Sequence, residues 1–216
     1  MKVLTLTRHK KAKQDPLQIK LVQDMINNHY SDIQLVQDYT KVIEYQQIVF
    51  DTEKELVQFF YKLINEKLYS IAFWNGNRFD VPYLWNRCPK IGVDIAAGSP
   101  TGEISHFNYW PKHRYVFDYM EIVAKWGWDI PDLSSTALDH ISSQVVGAGK
   151  FKYDGNYPAL YAGPIENFLT YGAIDVIAMQ LIHLKRGYTK SKNALVELSP
   201  IKGSSKSVKE AGEVVM

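Results

Sequence analysis

A short apolar run over residues 69–74 leads directly into the polar turn Asn75-Gly-Asn-Arg-Phe79-Asp80. The length and composition of this run predict a buried strand, and a helix is predicted to follow over residues 79–87. Pro82 does not oppose that helix, because a proline is tolerated in the first helical turn. A buried strand that turns straight into a helix predicts an α/β protein, with a central sheet flanked by helices.

Further strands are predicted from local patterns of apolar residues. Residues 2–7 alternate between apolar and polar side chains, and residues 115–117 form a buried run that ends at Asp118. A strand end over 150–153 is predicted to lead into a turn, and residues 91–114 are predicted to form a loop that includes a short hairpin. The remaining β-like runs cover residues 17–22, 33–36 and 41–50.

Helical spacing is clearest after residue 52, where Thr52 and Glu55 form a capping box. One apolar face then repeats with helical spacing: Leu56, Phe59, Phe60, Leu63 and Ile64. Other helices are predicted over residues 120–126, 133–143 and 164–184. Residues 188–216 are predicted to form a loosely attached tail, so that residues 1–187 make up the folded domain.

The composition is that of an ordinary soluble domain. Of the 216 residues, 46% are hydrophobic and 22% charged, and no apolar run approaches the roughly 18 residues of a membrane span. The N-terminus lacks a signal-peptide pattern and Cys88 is the single cysteine, so a cytoplasmic protein without a disulfide is expected. The net charge of +2 does not by itself indicate nucleic-acid binding, which would require a local basic patch.

Asp80 has two interpretations. A carboxylate at the start of a helix is stabilised by the unpaired N–H groups and the helix dipole, which would be a purely structural role. A binding site is the other interpretation, and the neighbouring residues favour it. Asn75 ends the predicted strand, and Phe79 is placed to stack on a base or a sugar.

Tyr171 and Asp175 form a second polar motif, on the predicted helix over 164–184. They are four residues apart and therefore share a helix face, and Gly172 beside them would let another element approach closely. An aspartate on a buried face is costly unless it is paired or bound to a metal, and a phenol next to it could orient a water for attack on phosphorus. The alternative is an ordinary hydrogen-bonded Tyr–Asp pair.

Asn75-x-x-x-Phe79-Asp80 and Tyr171-x-x-x-Asp175 resemble the second and third motifs of the 3′–5′ exonuclease domain of family B DNA polymerases. The resemblance to phage polymerases of this type extends over residues 45–186. It implies a ribonuclease H-like exonuclease fold, in which a mixed central β-sheet is flanked by helices. Four further segments carry it: Phe50-Asp-Thr-Glu-Lys-Glu-Leu56, Phe79-Asp-Val-Pro-Tyr-Leu-Trp-Asn-Arg87, Phe117-Asp118-Tyr119 and Gly149-Lys-Phe-Lys-Tyr-Asp-Gly155.

The resemblance also implies roles for individual residues. In that family four acidic residues bind two divalent metal ions, Mg²⁺ or Mn²⁺, which activate water and stabilise the leaving oxygen. Asp80 and Asp175 are the implied metal ligands, and Tyr171 would position the attacking water. These three residues are the expected catalytic groups.

Contacts to the DNA strand are expected at three residues. The resemblance implies that Asn75 and Phe79 touch the 3′ end. Lys152, beside Lys150 and Tyr153, is a candidate contact to the strand backbone, and an ordinary exposed hairpin is the alternative for this segment.

The family's first motif, Asp-x-Glu on the opening strand, has no counterpart in Val3-Leu-Thr-Leu-Thr-Arg-His9, which contains no acid. A literal Asp-x-Glu occurs at Asp51-Thr-Glu53. It precedes Asp80 too closely for a multi-strand meander to fit between them, so we expect Glu53 and Glu55 to form a solvated first helical turn. A catalytic role for this stretch is the alternative. Asp118 is a candidate substitute ligand or else a structural aspartate.

Two functions are therefore expected as alternatives. The first is a metal-dependent 3′–5′ exonuclease acting on single-stranded DNA ends, with other residues replacing the first-motif acids. The second is a non-catalytic module that binds DNA ends or a polymerase partner. Because 216 residues are too few to include a polymerase module, the chain is expected to be either stand-alone or one piece of a split polymerase whose partner is a separate DNA polymerase chain. No membrane contact is expected, and the location would be the host cytoplasm if a phage or virus encodes the chain. Both alternatives assume that the carboxyl groups of Asp80 and Asp175 face one groove.

Overall fold

The computed structural model describes residues 1–39, 43–67, 70–106 and 109–187. They divide into two compact units, the first formed by Met1–Asp51 with Ile130–Arg186 and the second built on Thr52–Asp129. In chain order the elements are β1 (Lys2–Thr7), α1 (Pro16–His29), α2 (Gln34–Tyr39), β2 (Glu44–Val49), α3 (Glu53–Lys67), β3 (Ser70–Phe73), α4 (Asp80–Arg87), β4 (Tyr115–Asp118), α5 (Tyr119–Trp126), α6 (Leu138–Val145), α7 (Tyr157–Ala162) and α8 (Ile165–Arg186).

The first unit is organised around α8. Strands β1 and β2 pair in parallel, with Lys2 opposite Glu44 and Thr7 opposite Val49. Helix α8 packs against α1, α2, α6, α7 and β1, and its Ile174 and Leu181 are fully buried. Each such side chain contributes roughly 1.5–3 kcal/mol through removal of its surface from water.

Helix α8 is apolar enough to satisfy a length-and-composition test for a membrane span, with 22 residues and a mean hydropathy of 1.2. Among the described residues it is the one helix that does so. Its buried residues pack against other elements of the first unit, which is the behaviour of a core helix. Length and composition alone therefore do not identify α8 as a membrane span.

The second unit is a smaller α/β assembly. Strands β3 and β4 pair in parallel, and α5 packs against both. Val57, Tyr61 and Ile64 of α3 form a core with Cys88 and Val93. The predicted capping box starts α3: the Thr52 N–H donates to Glu55 Oε2 at 3.0 Å, and the Glu55 N–H donates to Thr52 Oγ1 at 3.2 Å.

The predicted α/β class is confirmed, with a difference in the sheet. In place of one mixed central sheet, the described strands form two separate parallel pairs, one in each unit. The predicted tail over 188–216 lies outside the described residues. The strands predicted over 2–7, 69–74, 115–117 and 41–50 are present as β1, β3, β4 and β2, with residues 41, 42 and 69 not described.

Two predicted strands are wrong, because residues 17–22 belong to α1 and residues 33–36 overlap α2. Asp15 caps α1 by accepting a hydrogen bond from the Leu17 N–H at 3.0 Å, and Pro16 occupies the first helical turn. Val22 and Ile26, four residues apart, are both fully buried. The cap and this helical spacing outweigh the β-like composition of residues 17–22.

Three other predictions differ from the structure. The helix predicted over 133–143 begins only at Leu138, and residues 150–153 adopt no regular secondary structure. The expected hairpin within 91–114 is reduced to one antiparallel bridge between Ile104 and Pro111. Helix α7 was not predicted, although Asn156 signals its start by accepting a hydrogen bond from the Ala159 N–H at 3.1 Å.

Candidate functional site

Tyr171 and Asp175 lie on one face of α8, as predicted, and a third side chain joins them. The Lys150 ammonium donates to Asp175 Oδ2 at 2.8 Å and to the Tyr171 hydroxyl at 3.2 Å. About a quarter of each partner of the ion pair is exposed, 27% of Lys150 and 26% of Asp175. The three residues therefore form a polar cluster that is largely shielded from solvent.

Burial and charge oppose each other in this cluster. Burial raises the pKa of Asp175, while the Lys150 ammonium and, to a smaller extent, the Tyr171 hydroxyl lower it; the net direction is upward. Burial lowers the pKa of Lys150, but the hydrogen bond and the charge of Asp175 outweigh burial, and its net pKa is raised. Lys150 therefore stays cationic at neutral pH beside a carboxylate.

The two carboxylate oxygens of Asp175 differ in their hydrogen bonding. Its Oδ1 is buried and has no hydrogen-bond partner among the described residues, whereas Oδ2 accepts from Lys150. A buried carboxylate oxygen without a partner is costly and is a suitable ligand for a hard divalent cation. This oxygen is the candidate metal ligand of the first unit.

Lys150 is held in place through its backbone. The Lys150 N–H donates to Asp139 Oδ1 at 2.6 Å, and the His29 Nε2 donates to the Gly149 carbonyl at 3.0 Å. A Cβ atom at Gly149 would lie 2.4 Å from Asp139 Oδ1, so only glycine allows this close approach. The segment that carries Lys150 is thus fixed without being a strand.

Aromatic rings border the cluster. Tyr153 meets Tyr171 edge-to-face at a centroid distance of 5.5 Å, and Tyr157 lies 6.3 Å from the same ring. Lys152 is exposed, and its predicted contact with a DNA backbone stays a prediction. Gly172 is also exposed, and among the described residues no atom lies within 4 Å of a Cβ placed there, so the close approach expected at this glycine is not found.

In the second unit, Asp118 organises the turn that carries Asp80. One Asp118 oxygen accepts from the Asn75 N–H at 2.9 Å and from the Met120 N–H at 3.1 Å, and the other accepts from the Asn77 N–H at 3.0 Å. Asn75 has a φ of 66°, in the left-handed region that few residues other than glycine adopt. Asp118 is 4% exposed and has a structural role, which favours that interpretation over a substitute metal ligand.

Asp80 opens α4 directly after this turn. Burial raises the pKa of Asp80; a hydrogen bond with its own backbone lowers it, and the nearby Asp118 charge raises it further. Phe79 is 68% exposed, as a base-stacking residue would need to be. The Asn75 Oδ1 is buried and has no partner in the described part of the chain.

The literal Asp-x-Glu at residues 51–53 is engaged in other contacts. Glu53 Oε2 pairs with Arg87 Nη2 at 2.5 Å, and Oε1 accepts from Arg87 Nε at 2.8 Å and from the Tyr83 hydroxyl at 3.1 Å. The Glu53 side chain is only 14% exposed, so the prediction of a solvated turn is wrong for this residue. Glu53 ties α3 to α4, while Asp51 is exposed.

Within residues 1–39, 43–67, 70–106 and 109–187, no group of three or more His, Cys, Asp or Glu side chains could hold a metal. The potential ligands are single oxygen atoms, notably Asp175 Oδ1 and Asn75 Oδ1. Asp175 belongs to the first unit and Asp80 to the second, and the expectation that they share a groove stays a prediction.

Sequence reasoning missed three features of these sites: the Lys150–Asp175 ion pair, the support from Asp139 and the organising role of Asp118. Gly149 before Lys150 is a sequence sign of a close backbone approach, but it does not identify Asp139 as the partner. The sequence identified Asp118 as the end of a strand, and only the fold reveals which N–H groups donate hydrogen bonds to its carboxylate.

The chain is similar in sequence to a family of predicted exonucleases and to several DNA polymerases. The model of a protein family described as a predicted 3′–5′ exonuclease related to the exonuclease domain of PolB matches residues 20–206. The chain is 28% identical to the DNA-directed DNA polymerase of Enterobacteria phage T4 and 29% identical to that of Escherichia phage RB69, each over 152 residues. It is 26% identical over 121 residues to a DNA polymerase of Pyrococcus glycovorans.

These polymerases are much longer than the matched region. Each phage alignment includes 64% of this chain but only 17% of the polymerase, and the Pyrococcus glycovorans alignment includes 55% and 14%. The similarity therefore concerns one part of each relative.

Proposed function

Because the chain belongs to the family of predicted 3′–5′ exonucleases related to the exonuclease domain of PolB, we propose that it is a metal-dependent exonuclease that removes nucleotides from single-stranded DNA 3′ ends. The observation that carries this proposal is the polar cluster on α8. It combines a phenol, a carboxylate with one unpartnered buried oxygen, and a lysine. The proposed fold is ribonuclease H-like.

In the proposed reaction the aspartates, the tyrosine and the lysine have different roles. Asp175 and Asp80 would hold the divalent metal ions, which supply an activated water and neutralise charge on the leaving oxygen. The Tyr171 hydroxyl orients the attacking water by hydrogen bonding. Lys150 places a positive charge beside that hydroxyl, where an anionic phosphate is attracted.

Substrate binding is assigned to Asn75, Phe79 and Lys152. Phe79 has an exposed ring for stacking, Asn75 offers an unpartnered amide oxygen, and Lys152 an exposed ammonium. A single strand fits such contacts because its bases are free to stack on side chains. Similarity to phage polymerases supports a phage-encoded protein in the host cytoplasm that works alongside a polymerase chain.

The test is cleavage of a single-stranded oligonucleotide labelled at its 5′ end, with Mg²⁺ or Mn²⁺ and with EDTA. The expected result is a metal-dependent ladder of products shortened from the 3′ end. Loss of metal-mediated stabilisation slows cleavage about a thousand-fold or more, so Asp80→Asn and Asp175→Asn should each abolish the ladder. Asp154→Asn, at an exposed carboxylate of the first unit, is the matched control and should cleave normally.

One observation favours a second candidate, a non-catalytic module that binds DNA ends or a polymerase partner. Lys150 already neutralises Asp175, as a structural ion pair would. This candidate predicts no cleavage by the wild-type protein even at high concentration, and DNA or polymerase binding that survives both aspartate substitutions. Metal-dependent shortening of the strand by the wild type would reject it.

A further inference from the structure

The segment that follows β1 is strongly basic. Residues 8–13, here called the basic arm, contain Arg8, Lys10, Lys11 and Lys13 and no acid. This local concentration matters because the whole chain has a net charge of only +2. All four cationic side chains are exposed, and those of Arg8 and Lys10 have no ion-pair partner in the described part of the protein.

The basic arm is fixed against α7. The His9 Nε2 donates to the Tyr161 carbonyl at 2.9 Å, while His9 Nδ1 accepts from the Lys11 N–H at 3.2 Å. The Lys11 ammonium donates to the carbonyls of Ala162 and Gly163 at 2.6 and 3.0 Å, at the negative end of the helix. The His9 ring and the Lys11 ammonium thus attach the arm and leave Arg8 and Lys10 exposed.

A series of aromatic rings connects this arm to the polar cluster on α8. The ring centroids of His9 and Tyr161 are 4.3 Å apart, and those of Tyr161 and Phe168 are 5.3 Å apart. The series continues from Phe168 to Tyr157 at 6.1 Å and from Tyr157 to Tyr171 at 6.3 Å, again between ring centroids. Two of these rings are open to solvent, since Tyr157 is 53% and Tyr161 48% exposed.

We propose that the basic arm and the tyrosines of α7 form a binding surface for single-stranded nucleic acid. The phosphates lie against Arg8 and Lys10, and unpaired bases stack on Tyr157 and Tyr161. Basic side chains beside open aromatic rings are the combination that binds single strands, because every base has a face that can stack. The inference rests on the proposed function, since the surface leads a strand toward Tyr171 and Asp175.

Binding is tested apart from cleavage, by fluorescence anisotropy of a labelled oligothymidylate in EDTA. Changing Tyr157→Leu and Tyr161→Leu should each weaken binding about 5- to 150-fold, the range for one base–aromatic stack. Tyr157→Phe and Tyr161→Phe should bind as the wild type does, because they keep the ring. Tyr39→Leu is the matched control, since Tyr39 is also 53% exposed but lies on α2.

A second pair of substitutions tests the electrostatic part without touching the rings. Arg8→Gln with Lys10→Gln should reduce the slope of log affinity against log salt by about 1.4, or about 0.7 for each phosphate contact. A duplex of the same length should compete less well than a single strand, because its bases are already stacked. Circular dichroism confirms that each variant is folded.

The outcomes separate this inference from the proposed function. Any one of three results would contradict the proposed binding surface, even if the protein is a nuclease. They are normal oligothymidylate binding by the two leucine variants, an unchanged salt slope in the Arg8→Gln and Lys10→Gln variant, and equal competition by the duplex. Ring-dependent and salt-dependent binding without any metal-dependent cleavage would support the surface and reject the nuclease. Absence of binding by the wild type at low salt would also overturn the surface.

Discussion

The Lys150 ammonium donates a hydrogen bond to Asp175 Oδ2 at 2.8 Å. This contact joins a segment without regular structure to the centre of a buried helix, and it leaves the other carboxylate oxygen of Asp175 without a partner. The Lys150 ammonium opposes the effect of burial on the pKa of Asp175, and the buried Oδ1 of this carboxyl group is a candidate cation ligand.

Removing the lysine should shift the pH dependence of cleavage. Lys150 lowers the pKa of Asp175 against the effect of burial, so Lys150→Met should move this pKa further above its ordinary 3.8. At a given acidic pH less Asp175 is then ionised, and the acid limb of the rate profile should move to higher pH. The measurement is the initial cleavage rate across a pH series. Lys152→Met, at an exposed lysine, should leave the position of that limb unchanged.

Substitution of Asp80 should change stability in a pH-dependent way. Its pKa is raised in the folded protein, so the folded state holds this proton more tightly than the unfolded state. The carboxyl thus contributes stability below pH 3.8 that is lost as the pH rises through the folded pKa. Asp80→Asn should therefore raise the Tm at pH 7 and have little effect near pH 3.5. An equal Tm change at both pH values would contradict this assignment.

Asp118 should matter for both stability and activity. Asp118→Ala removes the acceptor of the Asn75, Asn77 and Met120 N–H groups. These hydrogen bonds are only part-buried, so each unpaired donor should cost about 1 kcal/mol, the low end of the range for buried groups. We expect the free energy of unfolding to fall by about 2–4 kcal/mol in urea denaturation. Glu121→Gln is the control, because its remaining oxygen still accepts from the Asn77 side chain. Asp118 positions the turn, so cleavage should fall further than the folded fraction does.

Two glycine substitutions should have opposite effects. Gly149→Ala places a Cβ 2.4 Å from Asp139 Oδ1 and should cost about 1–3 kcal/mol of unfolding free energy, as overpacking does. Gly172→Ala introduces the same methyl group into an exposed helical position and should stabilise by about 0.5–1 kcal/mol. Chemical denaturation of both variants checks the prediction. A neutral effect of Gly149→Ala would mean that the segment before Lys150 adapts freely.

Local sequence signals predicted the elements whose causes are themselves local. The Thr52 and Glu55 capping box, the strand that leads to Asn75 and the shared face of Tyr171 and Asp175 are all present. The strand predicted over 17–22 failed because the Asp15 cap and the burial of Ile26 lie outside that window.

By itself, the sequence determined the α/β class and the start of α3, because periodicity and capping involve neighbouring residues, and it contains motifs that resemble those of an exonuclease family. Only the tertiary structure decided that Lys150 pairs with Asp175, that Asp118 holds the Asn75 turn and that His9 meets Tyr161. These contacts join residues far apart in the chain, and their energies depend on burial and distance, which folding alone creates.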